Sequence, residues 1–453
     1  MRRAIIALVS AWVVMLGMAS AAPAAGLRAG VARVDITPPL GQALWGYAAR
    51  TTPAQGTLDP LYARVLVLEA GEKRLALVVL DLGRVFSPAS LARLREAARQ
   101  SSGITNVVVQ ATHTHAGPVI VDEYPGGTVP EWESAAVGKV GKAIDEAHER
   151  AVGARLGTGT GSTYVGYNRV RPNADGTITM LWRNPTRVAT APVDPTVAVL
   201  RVDTAEGQPL AVLVNYACHP VVFGSDNLQY SADFPGVMTR TVEEALGGGA
   251  VCFFLQGACG DINPYDATSP GQEDAVGKRD AAGRQLGEEA ARVAQAIRTE
   301  AEAQPSLEII EDTIPLRMRW NAERFQQGLL ASYGEKFVAN FAPRIREPIP
   351  APVATLLINK RIALMTLPGE PFVEFQMNWR DRCPVRDAFF LGYTNAYLGY
   401  FPTIRAAAMG GYGAASATTW VEVGAGERIV NNAVTRVYEL LGRLTDVPED
   451  LKK

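Results

Sequence analysis

Short apolar runs alternate along the chain with longer helix-like stretches. The runs are four to eight residues long and rich in Val and Ile, which favours buried strands over helices. The predicted strands are 65–68, 75–81, 106–112, 210–217, 250–256, 355–358, 361–367 and 388–393. The predicted helices are 88–100, 130–151, 235–246, 272–302, 322–333 and 431–444. This alternation predicts an α/β fold with mixed β-sheets flanked by helices, since 155–167 and 196–202 are suited to antiparallel strands.

Polar, chemically capable residues follow five of the predicted strands directly. In α/β proteins the crevice outside the carboxyl ends of the strands is where sites are built. The pattern therefore predicts one site formed by loops that are distant in sequence. The residues in these loops are His113 and His115, then His219, then Asp261 and Asn263, then Glu370, and finally Asn395, Tyr397 and Tyr400.

Three of the chain's four histidines lie in two of these loops. His113 and His115 are two residues apart, so in extended chain their side chains leave from the same face. Together with His219 and a carboxylate they would suit a mononuclear zinc site. The alternative is a set of polar core residues hydrogen-bonded to backbone, which the clustering beside Gly and Pro makes the weaker interpretation. His148 ends a predicted helix, where a cation complements the helix dipole, and is interpreted as structural.

Composition and motif absences exclude several function classes. The chain has 453 residues and a net charge of -2, which argues against a generic nucleic-acid binder. Apolar residues make up 47%, enough for a large core. No G-x-S-x-G is present, which removes the commonest α/β-hydrolase interpretation. The glycine-rich segment 157–161 lacks the dinucleotide-binding spacing and is predicted to be a strand edge or turn.

The first 25 residues are predicted to be a Sec-type export signal. Arg2 and Arg3 precede an apolar stretch at 4–18 and a small-residue run at 19–25. A membrane anchor is the alternative, but the stretch is short for a span. The mature protein is thus expected to be secreted or periplasmic. Its four cysteines are expected to be structural and to form one disulfide, whose pairing the sequence leaves open.

Several segments together resemble the catalytic domain of the neutral, non-lysosomal ceramidase family. The most specific is Thr-His-Thr-His-Ala-Gly-Pro at 112–118, similar to that family's T-H-T-H-S-G-P. The motifs run in family order from about residue 30 to 420, so the resemblance spans nearly the whole mature chain. The other matching segments are 30–38 with Gly46-Tyr47, 167–169, 231–236, 368–370 and 395–403.

The resemblance implies a role for each candidate residue. The zinc ligands would be His113, His219, Glu370 and Tyr400, with Tyr397 as the competing tyrosine. His115 would contact substrate or the activated water, and with Asp261 it is our candidate for proton handling or water orientation. Arg169 would bind a polar group of the substrate, and Tyr412 would help to polarise the scissile carbonyl.

Two departures from the family pattern concern the nucleophile and the domain content. Asn263 stands where the family has a serine, and an amide cannot be a nucleophile, although it can hydrogen-bond an oxyanion. Few residues follow Tyr412, so residues 26–453 are expected to form a single domain without the family's C-terminal β-sandwich.

The sequence therefore predicts an exported, zinc-dependent amide hydrolase that uses zinc-activated water. Its substrate would be a small-molecule or lipid amide, ceramide-like N-acyl lipids first, which implies transient contact with a membrane surface. We expect no nucleic-acid partner and no obligate protein partner. The alternatives are a hydrolase of a different amide or ester, and a non-catalytic protein that binds zinc.

Overall fold

Two β-sheets form the centre of the structure, a computed structural model that describes residues 26–333 and 347–451. The predicted export signal lies outside the described residues. The strands are β1 (Arg28–Asp35), β2 (Gly56–Thr57), β3 (Tyr62–Ala70), β4 (Lys73–Leu80), β5 (Asn106–Ala111), β6 (Val152–Ser162), β7 (Gly166–Asn168), β8 (Val170–Pro172), β9 (Ile178–Met180), β10 (Thr196–Thr204), β11 (Pro209–Tyr216), β12 (Gln229–Tyr230), β13 (Val251–Gln256), β14 (Ile262–Pro264), β15 (Leu307–Leu316), β16 (Ile349–Ile358), β17 (Ile362–Thr366), β18 (Glu370–Pro371), β19 (Asp387–Leu391) and β20 (Tyr400–Phe401). The α-helices are α1 (Pro88–Ser101), α2 (Glu131–Glu149), α3 (Asp233–Leu246), α4 (Ala275–Ala296), α5 (Ala322–Tyr333), α6 (Val373–Arg382), α7 (Ile404–Met409) and α8 (Ala425–Leu440).

Both large sheets are mixed. The eight-stranded sheet has the order β13-β11-β10-β6-β1-β3-β4-β5, and the four-stranded sheet has the order β15-β16-β17-β19. Three pairs are parallel, β4 with β5, β11 with β13 and β17 with β19, and the remaining pairs of these two sheets are antiparallel. The predicted fold class is therefore confirmed.

The alternation of side chains along the strands produces a four-layer arrangement. On β3, Val65 and Val67 face the helices α1 to α4, whereas Leu66 and Leu68 face the four-stranded sheet. The outer face of the smaller sheet packs on α6 and α8 through residues such as Trp379. Strands buried on both faces explain the nearly continuous apolar runs in the sequence.

Buried amide side chains join the ends of strands from the two sheets. Gln110 on β5 donates to the carbonyl oxygens of Gln256 (2.8 Å), the last residue of β13, and Gly392 (3.0 Å), the residue after β19. Asn215 on β11 donates to the carbonyl oxygens of Leu255 (2.9 Å) and Phe390 (2.8 Å). Because β5 and β13 are opposite edges of the larger sheet, that sheet must curl to bring these ends together. The loops after β5, β11, β13 and β19 consequently meet in one place.

All eight predicted strands and all six predicted helices overlap elements of the structure, but some bounds differ. Helix α4 is shorter than the predicted 272–302, because Asp274 caps its start by accepting a hydrogen bond from the Gly277 amide. Helix α8 starts six residues before the predicted 431. Helix α6 was not predicted, since it has only a weak apolar periodicity.

The glycine-rich segment 157–161 lies in a strand whose other neighbour, β1, pairs only with Val152 and Gly153, so the prediction of a strand edge is confirmed. It lies within β6, which pairs with β10 along its length. A Cβ on Gly157 would lie 2.4 Å from Ile297 Cγ2, and one on Gly161 would lie 2.1 Å from Glu289 Oε1. These glycines therefore allow α4 and the chain after it to approach the sheet closely.

The cysteine prediction is wrong in one respect. Cys218, Cys252, Cys259 and Cys383 are all free thiols. The first three are buried in the core, which agrees with a structural role. Among the described residues, no helix is long and apolar enough to cross a bilayer.

Candidate metal centre

The ends of β5, β11 and β17 bring three predicted ligands together. His113 and His219 follow β5 and β11, and Glu370 opens β18 just after β17. Glu370 Oε2 lies 3.3 Å from His113 Nε2 and 3.1 Å from His219 Nε2. All three side chains are buried, with 1–3% of each exposed. The nearest ligand atoms of His113, His115 and His219 also lie within 4.8 Å of one another.

Backbone carbonyl groups fix the orientation of the two ligand imidazoles. His113 Nδ1 lies 2.6 Å from the Gly83 oxygen, and His219 Nδ1 lies 3.0 Å from the Ile262 oxygen. A carbonyl oxygen can only accept, so each Nδ1 carries the proton and each Nε2 faces Glu370. His113 holds a left-handed backbone conformation with φ at 70°. Such conformations persist where the surrounding structure enforces them, often at functional sites.

The electrostatics of this cluster favour a bound cation. Burial lowers the pKa of His219 to about 4, so its imidazole is neutral at pH 7. A bare Nε2 lone pair and a carboxylate oxygen are both acceptors, and a cation between them would relieve their repulsion. Imidazole nitrogens with a carboxylate oxygen form a donor set that suits Zn²⁺.

His115 lies beside this cluster. Its Nε2 is 3.3 Å from His113 Nε2, and its Nδ1 is buried without a hydrogen-bond partner. Burial lowers its pKa well below the usual value, and the adjacent imidazoles lower it further. Gly46, with φ at 105°, leaves room for the ring, because a Cβ there would lie 2.3 Å from His115 Nδ1. His115 therefore presents a neutral imidazole with a free nitrogen.

Arg169 joins the remaining predicted residues on another side of the site. It donates to the Tyr400 hydroxyl (3.2 Å), to Asn263 Oδ1 (3.2 Å) and to the Gly260 carbonyl oxygen (2.7 Å). Its guanidinium carbon lies 5.2 Å from the centre of the Tyr412 ring. Burial raises the pKa values of both tyrosines, which keeps their phenols protonated. Tyr412 is the partly exposed member of the group, at 36%.

The Asp261 carboxylate is engaged by the scaffold. Its oxygens accept hydrogen bonds from Asn168 Nδ2 (2.6 Å) and from the Val373 amide (2.8 Å). Burial raises its pKa to about 6. The side chain also lines a cavity of about 310 Å³, together with Arg405 and other residues outside the histidine cluster. These contacts give Asp261 a part in fixing the loop that carries Asn263.

Three contacting residues were not predicted. Tyr393 stacks on His113 with ring centres 4.1 Å apart, and its hydroxyl lies 3.5 Å from Glu370 Oε2. In the sequence, Tyr393 is only the last residue of the predicted strand 388–393. Arg84 lies next to Tyr397, and Trp182 lies next to Arg169. Neither was predicted, because a single residue in a loop has no pattern that the sequence could show. His148 lies elsewhere, 2.5 Å from Glu69 Oε1, in agreement with its structural interpretation.

Comparison with known proteins establishes the family. The family model described as neutral/alkaline non-lysosomal ceramidase, N-terminal, matches residues 27–279. The chain belongs to this family. A neutral ceramidase from Pseudomonas aeruginosa is 26% identical over 279 residues, which are 58% of this chain and 41% of that ceramidase. The match thus spans about two fifths of the relative's length.

Solved ceramidase structures share the fold over a longer stretch. The crystal structure of neutral ceramidase from P. aeruginosa has a TM-score of 0.72 at 19% identity, covering 93% of this chain and 75% of that one. A ceramidase complexed with C2 has a TM-score of 0.73 at 20% identity, with coverages of 93% and 76%. The fold therefore extends beyond the segment that the family model matches.

Proposed function

We propose that this member of the ceramidase family is a zinc-dependent hydrolase of N-acyl amides, with ceramide-like lipids as the leading substrate class. The observation that carries the proposal is the approach of two unprotonated imidazole nitrogens to one carboxylate oxygen. His219 Nε2 lies 3.1 Å and His113 Nε2 lies 3.3 Å from Glu370 Oε2. The substrate class is supported by the family and by the ceramidase complexed with C2, which has the same fold.

His113, His219 and Glu370 would hold the zinc ion, with Tyr400 as the fourth proposed ligand. When bound, zinc supplies Lewis-acid polarisation of a carbonyl group and a water molecule of lowered pKa. Tyr400 is the strand partner of Glu370 between β18 and β20, and its hydroxyl accepts a hydrogen bond from Arg169. The carbonyl groups of Gly83 and Ile262 keep both imidazoles in the tautomer that metal binding requires.

The chain's own residues would handle the proton and orient the substrate. His115 is neutral and has a free nitrogen, so it can take up a proton during attack and return it to the leaving amine. The protonated, partly exposed phenol of Tyr412 can donate to the oxygen of the scissile carbonyl. Arg169 holds Tyr400 and Asn263 in place and would bind a polar group of the substrate.

Asn263 in place of the family serine favours direct attack by water. Its Oδ1 accepts from Arg169, so the side chain is held as a hydrogen-bonding group. We expect chelator-sensitive turnover without a covalent acyl-enzyme, which mass spectrometry of quenched reactions would detect. Asn263→Ser should change the rate or the substrate preference by about tenfold or less, the scale of one hydrogen bond. Activity that appears only in Asn263→Ser would contradict the hypothesis of direct attack by water.

The decisive experiment combines metal content with a substrate panel. Zinc-loaded protein is assayed against fluorogenic N-acyl amides, esters and ceramides, with and without chelator. We expect ceramide-like amides to be cleaved and cleavage to be lost on chelation. Cleavage of other amides or esters alone would support the alternative hydrolase. Stoichiometric zinc without any cleavage would favour the non-catalytic zinc protein.

Export is a separate part of the proposal and rests on residues 1–25 alone. Arg2 and Arg3, the apolar stretch and the small-residue run predict a mature N-terminus between about residues 22 and 27. N-terminal sequencing of the protein from a secreted or periplasmic fraction would test it. An intact Met1 on a membrane-embedded protein would contradict it.

A further inference from the structure

Arg84 is a buried arginine to which the proposed mechanism gives no role. Only 1% of its side chain is exposed, and its Nη2 donates to Asp122. Its Nε and Nη1 are buried without a hydrogen-bond partner in the described part of the chain. A buried guanidinium with unmet donors is costly, so its position calls for a compensating contact.

The face of Tyr397 provides that contact. The guanidinium carbon of Arg84 lies 5.1 Å from the centre of the Tyr397 ring, within the range of a cation–π interaction. Two tryptophans also pack edge-on against this ring, Trp45 with centres 5.3 Å apart and Trp420 with centres 6.1 Å apart. The ring of Tyr397 is therefore held on several sides.

The hydroxyl of Tyr397 contacts the oxygen of Glu370 that faces away from the histidines. Tyr397 donates to Glu370 Oε1, whereas Oε2 lies against His113 Nε2 and His219 Nε2. The two oxygens thus have different partners. A carboxylate held through one oxygen can turn only a little, which fixes the direction of the other.

We propose that Tyr397 is a positioning residue for Glu370 and not a metal ligand, and that Arg84 acts through Tyr397 by holding its ring. This inference rests on the proposed metal site and is independent of the substrate. Partners outside the ligand shell orient the ligands, and their loss commonly weakens metal binding about 10- to 100-fold. The resemblance left Tyr397 and Tyr400 in competition, and these contacts give them separate tasks.

The test is a double-mutant cycle read out as zinc affinity, measured with the metal alone by competition against a chromogenic chelator. Tyr397→Phe keeps the ring and its packing, and we expect it to weaken zinc binding about 10- to 100-fold. Arg84→Met should weaken binding by a smaller factor in the wild-type background. In the Tyr397→Phe background, Arg84→Met should weaken zinc binding almost no further, because the hydroxyl through which Arg84 acts is gone. Arg84→Lys should bind zinc more tightly than Arg84→Met does, since it retains a cation.

Arg64 provides a matched control. It is another buried arginine, paired with Asp81 at 2.8 Å, and it has no contact with the histidine cluster. Arg64→Met should lower the unfolding temperature without weakening zinc binding by the folded protein. Equal effects of Arg84→Met in both backgrounds, or unchanged affinity in Tyr397→Phe, would overturn the inference and leave the metal site standing. A wild-type protein that binds no zinc would overturn both.

Discussion

Two buried polar clusters of similar size differ in how their charges are matched. In the first, which we call the histidine cluster, the Nε2 atoms of His113 and His219 lie within 3.3 Å of Glu370 Oε2. In the second, the Asp59 cluster, Asp59 accepts from Arg279 at 2.5 Å and from Ser231 at 2.6 Å. The first cluster has the donor atoms to hold a cation, whereas the carboxylate of the second is paired with an arginine.

The two clusters contain two of the segments that resemble the family, and these segments have different contacts. Segment 231–236 supplies Ser231 and Asp233, whose side chains hold backbone amides and Asp59. Segment 112–118 supplies His113 and His115, whose Nε2 atoms face each other, and His113 Nε2 also faces Glu370. A polar cluster whose donors and acceptors are paired stabilises the fold, whereas one whose acceptors face each other is suited to bind a cation.

The largest expected effect comes from removing a ligand of the histidine cluster. His219→Ala should weaken zinc binding about 100- to 1,000-fold, because the roughly 10–16 kcal/mol of a zinc site is shared by about four ligands. Metal analysis after dialysis against a chelator measures this, and hydrolysis should fall with it. His148→Ala is the control and should keep full zinc. Full zinc in both His113→Ala and His219→Ala would show that the site is elsewhere.

Breaking the Asp59 cluster should affect stability instead. Arg279→Met leaves the buried Asp59 carboxylate without its cation, which should lower the free energy of unfolding by about 3–5 kcal/mol. Urea unfolding measures the loss, and Arg279→Lys should lose less. The folded variant should still bind one equivalent of zinc. A fall in zinc content that matches a ligand variant would contradict the separation of the two clusters.

The pH dependence of stability should reveal Asp233 in the same cluster. Burial raises its pKa from 3.8 to about 6, so the folded protein binds its proton more tightly than the unfolded chain does. The resulting stabilisation is complete below about pH 4 and is lost as pH rises through 6. The two-unit shift corresponds to about 3 kcal/mol.

This contribution can be isolated by comparing wild type with Asp233→Asn, which does not titrate. In zinc-free protein, the stability of wild type relative to Asp233→Asn should fall between pH 4 and pH 8 in urea titrations. Asp175→Asn is the control, since Asp175 is exposed and its pKa is lowered by Thr177, so its small trend should have the opposite sign. A flat difference for Asp233→Asn would refute the assignment.

The smallest effect concerns the zinc-free histidine cluster and has an unusual sign. In Glu370→Gln an amide donor can face His219 Nε2, which replaces a repulsive contact by a hydrogen bond. We expect the zinc-free variant to be more stable than zinc-free wild type by about 1 kcal/mol. Saturating zinc should reverse the order, because it binds the wild type more tightly. Thermal unfolding with and without zinc measures both, and a less stable zinc-free variant would mean that the acceptors do not repel.

Much of the fold could be predicted because local patterns report local structure. The apolar runs of β5, β11, β13, β17 and β19 showed both the strands and the loops that follow them. Short strands such as β14 and β18 have only two or three residues and no periodicity to detect. The disulfide prediction failed because it relied on the expected compartment, whereas all four thiols are free in the structure.

The residue types at the site were also visible in sequence, but their contacts were not. His113, His219 and Glu370 were chosen correctly as neighbours, since each follows a strand. Two contacts could not be inferred from the sequence: Tyr397 contacts one oxygen of Glu370, and Arg84 contacts the ring of Tyr397. These residues are separated by up to 313 positions. Nor could the sequence show that Asp261 is engaged by Asn168 and Val373.

The sequence by itself determined the α/β class, the strand ends that carry reactive side chains, the family and the candidate ligands. These follow from periodicity, residue type and motif order, which depend only on near neighbours along the chain. The tertiary structure alone decided which atoms meet. The curl of the larger sheet and the amide contacts of Gln110 and Asn215 bring the strand ends together. Their positions are set by packing between the two sheets, and no local pattern encodes that packing.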